Sequence, residues 1–289
     1  MSMNKYQEAF DKFEPIGSKA EVAEKVCKIV TEEAGKNFTP EALKFIHGCI
    51  DLTSLSALDS RESIWKMVNS VNDFEGSRPD IPNVAAICTY PLFTETVKQA
   101  LTAREVKIAT VTGGFPASQT YQEIKVAETA MAIMNGADEI DTVLNLGYLA
   151  EENYQDAAEE IQEIKASARE AKLKVIIESG AISTIDNIMK ATVIAIYAGA
   201  DYVKTSTGKE FPGATPEAVY TICRIIKQYH SMTNNKIGIK ISGGVRKAED
   251  AISYYTIVKH VLGKEWLHKD HFRIGASSLA GDIIRHIGE

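Results

Sequence analysis

Tyr202-Val203-Lys204-Thr205-Ser206-Thr207-Gly208-Lys209 stands between two turn signals. Gly199-Ala200-Asp201 ends a helix before it, and Pro212-Gly213-Ala214-Thr215-Pro216 leads from it into the next helix. The octapeptide therefore begins as a strand and ends as a loop of the kind that carries active sites. A lysine within that strand needs a reason. A lone lysine is ordinarily solvated on an edge strand; the rest of the chain argues against that here.

Outward from this stretch, one beat repeats. Ile46–Asp51, Val84–Tyr90, Lys107–Thr112, Glu139–Asn145, Lys174–Ser179, Tyr202–Ser206, Lys236–Ser242 and Phe272–Ser277 read as strands, their starts 23 to 38 residues apart. Helical patterns fill most of the gaps: Thr94–Ala103, Gln119–Asn135, Tyr154–Ala171, Thr184–Ala198, Pro216–Tyr229 and Lys247–Leu262. Asn135-Gly136-Ala137-Asp138, Gly199-Ala200-Asp201 and Glu170-Ala171-Lys172 punctuate three helix-to-strand passages in a similar way. Such alternation means a parallel sheet, and eight units predict an α/β fold of the (β/α)8 TIM-barrel type. An open doubly wound sheet fits less well, because no glycine-rich dinucleotide fingerprint follows the first strand.

Residues 1–45 read as a helical extension ahead of a barrel spanning 46–289. Ser18 and Glu21 form a capping box, Val22, Val26, Ile29 and Val30 make an apolar stripe, and Gly35 is expected to stop that helix. Thr39-Pro40 starts a second, short helix.

Barrel strands are covered on both faces, so their polar residues carry information. In Lys236-Ile237-Gly238-Ile239-Lys240-Ile241-Ser242 the isoleucines share the face towards the helices, and Lys240 points inward. The same alternation sends Asp141 inward and puts Lys204 on one face with Tyr202 and Ser206. Two buried lysines on adjacent strands should suppress each other's protonation, which is how an amine becomes nucleophilic. The alternative is a purely structural ion network of Lys204, Lys240, Asp141, Asp51 and Glu178.

Ser242-Gly243-Gly244-Val245-Arg246 follows strand seven. Gly275-Ala276-Ser277-Ser278 follows strand eight into a helix over Leu279–Ile287. These two loops form the usual phosphate grip of a barrel, and Gly208-Lys209 could add a charge. Metal chemistry fits poorly. His268 and His271 precede strand eight at the wrong end, His230 and His260 lie near helix ends, and His47 begins strand one. Cys88 reads as a pocket wall, having no histidine to activate it.

The 289 residues carry a formal charge of −7, with 45% hydrophobic and 25% charged residues. That excludes a general nucleic-acid or anionic-membrane binder. The four cysteines show no zinc spacing and read as reduced thiols of a cytoplasmic protein without signal peptide or membrane anchor.

Taken together, Lys204–Lys209, Ala85-Ala86-Ile87-Cys88-Thr89-Tyr90-Pro91, Gly136–Asp141, Lys240 with Gly243–Arg246, and Arg273–Ser278 resemble the deoxyribose-phosphate aldolase family. Asp51-Leu52-Thr53 and Lys174–Gly180 extend the likeness, which runs in order from about residue 46 to 285. The resemblance implies a class I aldolase. It would interconvert 2-deoxy-D-ribose 5-phosphate with glyceraldehyde 3-phosphate and acetaldehyde, without metal or other cofactor.

On that resemblance, Lys204 forms the Schiff base, Lys240 perturbs it and Asp141 relays protons. Asp51 pairs with Lys240, while Thr53 and Cys88 line the sugar pocket. Gly208, Lys209, Gly243, Gly244, Ser277 and Ser278 hold phosphate, with Thr205 and Gly275 completing the set. Partners are then small molecules, plus copies of the chain in a homodimer or higher homo-oligomer. Some family members end in a tail whose terminal tyrosine assists protonation. This chain ends His286-Ile287-Gly288-Glu289, so slower turnover is expected. The N-terminal segment matches extended family forms, and is expected under the barrel or at a subunit contact. A Schiff-base aldolase or transaldolase acting on another phosphosugar, and a non-catalytic phosphosugar-binding barrel, stay open as alternatives.

Overall fold

The computed structural model describes residues 5–288. Short runs rich in β-branched residues, buried on both faces, form eight strands. They are β1 (Ile50–Thr53), β2 (Ala86–Thr89), β3 (Lys107–Thr112), β4 (Glu139–Val143), β5 (Lys172–Ile176), β6 (Tyr202–Lys204), β7 (Gly238–Ser242) and β8 (Phe272–Ala276). Each pairs in parallel with the next, and β8 pairs back to β1, closing the barrel. The register puts Lys204 beside Lys240 and Asp141 beside Lys174. Between the strands run the helices Arg61–Ser77, Thr94–Ala100, Gln122–Met134, Tyr154–Ala168, Ile185–Tyr197, Pro216–Thr233 and Ala248–Leu262, and Leu279–Gly288 follows β8. Ile239, Ile241 and their counterparts on other strands form the core with the inner faces of these helices.

The repeated Gly-Ala-Asp punctuation has a physical cause. Gly136 and Gly199 take positive φ, 104° and 98°, where the helices end. The aspartate that follows then reaches sideways: Asp138 accepts the Ile108 N–H at 2.9 Å, and Asp201 the Leu173 N–H at 2.8 Å. Each motif thus sets the start of the preceding strand. At the third site Arg169 takes the left-handed backbone instead, and there is no glycine.

Several boundaries differ from expectation. Strand one begins at Ile50; Ile46 and His47 close the helix Pro40–His47, where the spacing of Leu43 and Ile46 on one face suits a helix better. His47 is therefore a helix residue, its ring bonded to the Pro82 carbonyl. Gly35 does not stop its helix, which runs Lys19–Asn37 at a cost of roughly 1 kcal/mol for an exposed interior glycine. Helix Arg61–Ser77 was not expected from the sequence. Its buried face is only Ile64, Val68 and Val71, and its capping box uses Ser60 with Ser63.

The N-terminal extension lies on the outside of the helical ring. Phe10 packs edge-on against Tyr154 and Phe13 against Tyr197. Asn37 donates to Thr256 and accepts from Lys259. No helix among the described residues is long and apolar enough to cross a membrane.

Candidate active site

Neighbouring strands aim one lysine each at a shared carboxylate. Lys204 on β6 and Lys240 on β7 both place Nζ 2.7 Å from Asp141 Oδ2 on β4. Lys240 has a second carboxylate, Asp51 Oδ2 on β1, at 2.5 Å; among the described residues Lys204 has no second anion within ion-pair distance. The two amines therefore differ. Burial and Lys240 hold Lys204 below its ordinary 10.5, against the pull of Asp141. Its two carboxylates outweigh burial at Lys240 and hold it above the ordinary value. The suppression read as mutual from the sequence is one-sided.

The strand tips are tied so that this pairing is rigid. Thr205 Oγ1 donates to the Ser242 carbonyl at 3.0 Å and accepts the Ser242 N–H at 2.9 Å. Ser242 Oγ donates to the Ser206 carbonyl. Thr205 is thereby spent on joining β6 to β7 and does not line the cavity.

Above the lysines a cavity of about 200 Å³ opens at the C-terminal ends of the strands. That volume suits a metabolite, not a macromolecular segment. Thr53, Lys204, Gly208, Lys209, Gly243, Gly244, Gly275 and Ser277 all line it, together with Leu55, Thr207 and Arg246. Gly208, Gly243 and Gly244 have φ of 73°, 91° and 85°, turning backbone in a way that side-chain-bearing residues resist. Lys209 Nζ donates to the Leu55 carbonyl, which pins the loop after β6 across the mouth. Ser278 is exposed outside the lining and directly precedes helix Leu279–Gly288. Gly275 makes room for a neighbour as well as for a ligand: a Cβ there would meet Lys240 Cε at 3.1 Å.

Cys88 lies inside the barrel in an apolar patch with Leu55, Ala86, Ala109 and Val111. Burial pushes its thiol up, and contrary to expectation it does not line the cavity but lies buried beneath it beside the amines. Glu178 does not join the lysine network. Its carboxylate accepts the Thr207 N–H and hydroxyl, and its own backbone is left-handed at φ 48°.

A family model described as DeoC/LacD family aldolase matches residues 48–270. The chain belongs to the DeoC/LacD aldolase family. A deoxyribose-phosphate aldolase of Homo sapiens is 37% identical over 250 residues, covering 82% of this chain and 78% of that protein. The solved structure of QR15, an aldolase, matches with a TM-score of 0.68 at 30% identity, covering 84% of this chain and 96% of that one. A deoxyribose phosphate aldolase from Aeropyrum pernix, described as having a unique tetrameric structure, shares the fold. Its TM-score is 0.67 at 24% identity, over 90% of this chain and 97% of that one.

The aldolase also buries charged residues to which sequence reasoning gave no role. Lys174 bonds Asp141 Oδ1 at 2.8 Å, and Glu139 and Arg273 lie beneath it. Inward alternation along β5 and β8 was the available signal. Lys174 is the third residue of β5 and Arg273 the second of β8, each hidden among apolar neighbours. One group with metal-ligand character among the described residues, Glu249, Asp282 and His286, sits on the outer helices away from this cavity.

Proposed function

We propose that this aldolase cleaves 2-deoxy-D-ribose 5-phosphate reversibly to glyceraldehyde 3-phosphate and acetaldehyde through a Schiff base on Lys204. The observation that carries the proposal is the asymmetry of the two lysines around Asp141. One amine opens to the cavity and is held towards its neutral, nucleophilic form, while the other stays charged beside it.

In this reading the phosphate lies on the backbone of Gly208, Gly243 and Gly244, beside Ser277 and Ser278, with Lys209 and Arg246 supplying charge. The Lys204 amine attacks the open-chain aldehyde carbon, and loss of water leaves an iminium. The bond between the second and third sugar carbons then breaks. Its electrons fall into the iminium to give an enamine, and the hydroxyl proton of the third carbon passes through Asp141 and Lys240. Reprotonation of the enamine and hydrolysis release acetaldehyde. Thr53 faces the sugar, and Cys88 backs the two-carbon fragment from below.

Residues 46–289 would form the catalytic unit, with the N-terminal extension bracing its outer helices through its described residues, from Lys5 on. The chain is read as a cytoplasmic homo-oligomer; the tetrameric relative bears on the assembly alone. The decisive experiment incubates the protein with acetaldehyde and borohydride and maps the reduced adduct by peptide mass spectrometry. A stoichiometric ethyl group on Lys204 supports the reading; scattered labelling of surface lysines refutes it.

A further inference from the structure

The charges beneath the cavity close into a ring. Arg273 Nη1 lies 2.6 Å from Asp51 Oδ1, and its Nη2 lies 2.8 Å from Glu139 Oε1. Lys174 Nζ bridges Glu139 Oε2 at 2.7 Å to Asp141 Oδ1 at 2.8 Å. Lys240 Nζ completes the circuit from Asp141 Oδ2 back to Asp51 Oδ2. Going round, the signs alternate without a break: Arg273, Glu139, Lys174, Asp141, Lys240, Asp51. Three cations and three carboxylates sum to zero, all of them buried. Lys204 hangs from the ring at Asp141 and is not needed for its balance.

We propose that Arg273 and Glu139, which do not line the cavity, are positioning residues that keep Lys204 uncharged by completing this balanced ring. The inference rests on the aldolase reading of Lys204. A buried cluster of zero net charge gains a whole uncompensated charge when one more amine is protonated, and low polarizability makes that costly. Removing one ring cation reverses the preference, because a proton on Lys204 would then restore neutrality.

The other groups facing Lys204 are the same in every variant tested below, so they do not change the direction of a shift. Asp141 on β4, Lys174 on β5 and Lys240 on β7 are ring members. Cys88 on β2 is a neutral thiol, and Glu178 after β5 is raised by burial and bonded to Thr207. Arg273 is faced by Asp51, Glu139, the Lys269 carbonyl and the ring of Tyr202, whose hydroxyl burial keeps protonated.

A ring that only stabilised the fold would weaken the protein when either residue is changed. A ring that sets charge gives shifts of opposite sign. The test measures the pH dependence of borohydride-trapped acetaldehyde on Lys204 in the full-length protein. In Arg273→Gln the acid limb should move up by about one pH unit, and in Glu139→Gln it should move down by about as much. Arg273→Lys and the double variant Arg273→Gln/Glu139→Gln should return it close to wild type. Shifts in the same direction, or none, overturn the proposal. Should Arg273→Gln fail to fold, Glu139→Gln and the double variant decide: a downward shift reversed in the double supports it, any other pattern refutes it. An unlabelled Lys204 in the wild-type protein is a separate result; it sinks the aldolase reading itself and this inference with it.

Discussion

Lys204 and Lys240 grip the same oxygen: each Nζ is 2.7 Å from Asp141 Oδ2. What separates their chemistry is Asp51, which Lys240 reaches and Lys204 does not. Two amines of the same type, on adjacent strands at the same register, are thus pushed in opposite directions from the ordinary lysine value, the additional carboxylate favouring the charged form of Lys240 alone.

Replacing the proposed nucleophile, Lys204, should separate activity from folding. Lys204→Leu leaves every contact of the six-membered ring intact, so the variant should remain folded. Cleavage should fall by roughly 10⁴-fold or more, as expected when the group forming the covalent intermediate is lost. Circular dichroism with a phosphosugar cleavage assay checks both halves; unchanged turnover would remove Lys204 from the mechanism.

The pH dependence of the amine has a definite sign. Lys204 is held below 10.5, so its reactive fraction rises with pH and levels off before that value. The rate of imine trapping should climb along an acid limb and plateau. A limb centred at or above the ordinary lysine value would mean that burial does not suppress this amine.

Much of this was legible in the chain because a parallel barrel leaves its inward polar residues nowhere bland to go. Lys204, Lys240 and Asp141 emerged from strand alternation alone, and the glycines after strands seven and eight from their place in the barrel. The ring did not emerge. Arg273 and Glu139 are the second and first residues of their strands, where polar side chains usually reach solvent at the barrel end. Only closure of β8 onto β1 brings Arg273 to Asp51, 222 positions away in the chain. Helix Arg61–Ser77 was hidden for another reason. Its buried positions, Ile64, Val68 and Val71, are interspersed with serine and asparagine of low helix propensity, and tertiary packing overrides that local preference.

Lys240→Leu should do more damage than loss of the nucleophile. Asp51 and Asp141 would be left with one cation fewer in a buried site, costing about 3–5 kcal/mol. The ring would then carry a net negative charge, so Lys204 should titrate higher and the acid limb of imine formation should move up. Urea unfolding together with the trapping profile measures both. A stable variant with an unmoved limb would show that Lys240 neither balances the ring nor tunes its neighbour.

Acid should unfold the protein through the same carboxylates. Asp51 and Asp141 are held below their ordinary 3.8 by Lys240, Arg273, Lys174 and Lys204. A depressed carboxylate contributes stability that is complete above its unfolded value and is lost as pH falls through its folded value. The urea midpoint should therefore stay nearly level down to about pH 5 and drop steeply below 3.8. Asp51→Asn, which removes one depressed group, should flatten that acid decline while lowering stability near neutrality. An unchanged slope would place the acid sensitivity elsewhere.

The proposed phosphate grip depends on two loops touching backbone to backbone. A Cβ on Gly243 would meet Gly213 Cα at 2.6 Å, and a Cβ on Gly213 would strike the Gly243 carbonyl. At Gly244 nothing lies within 4 Å, so alanine there meets only the strain of φ 85°. Gly213→Ala should push the loops after β6 and β7 apart and raise KM for the phosphosugar by roughly 10-fold or more, with smaller effects at Gly244→Ala. Acetaldehyde has no phosphate, so its borohydride-trapped adduct on Lys204 should form at an ordinary rate in both variants. If Gly213→Ala slowed adduct formation as strongly as it weakened phosphosugar binding, the loops would be holding the lysines rather than the phosphate.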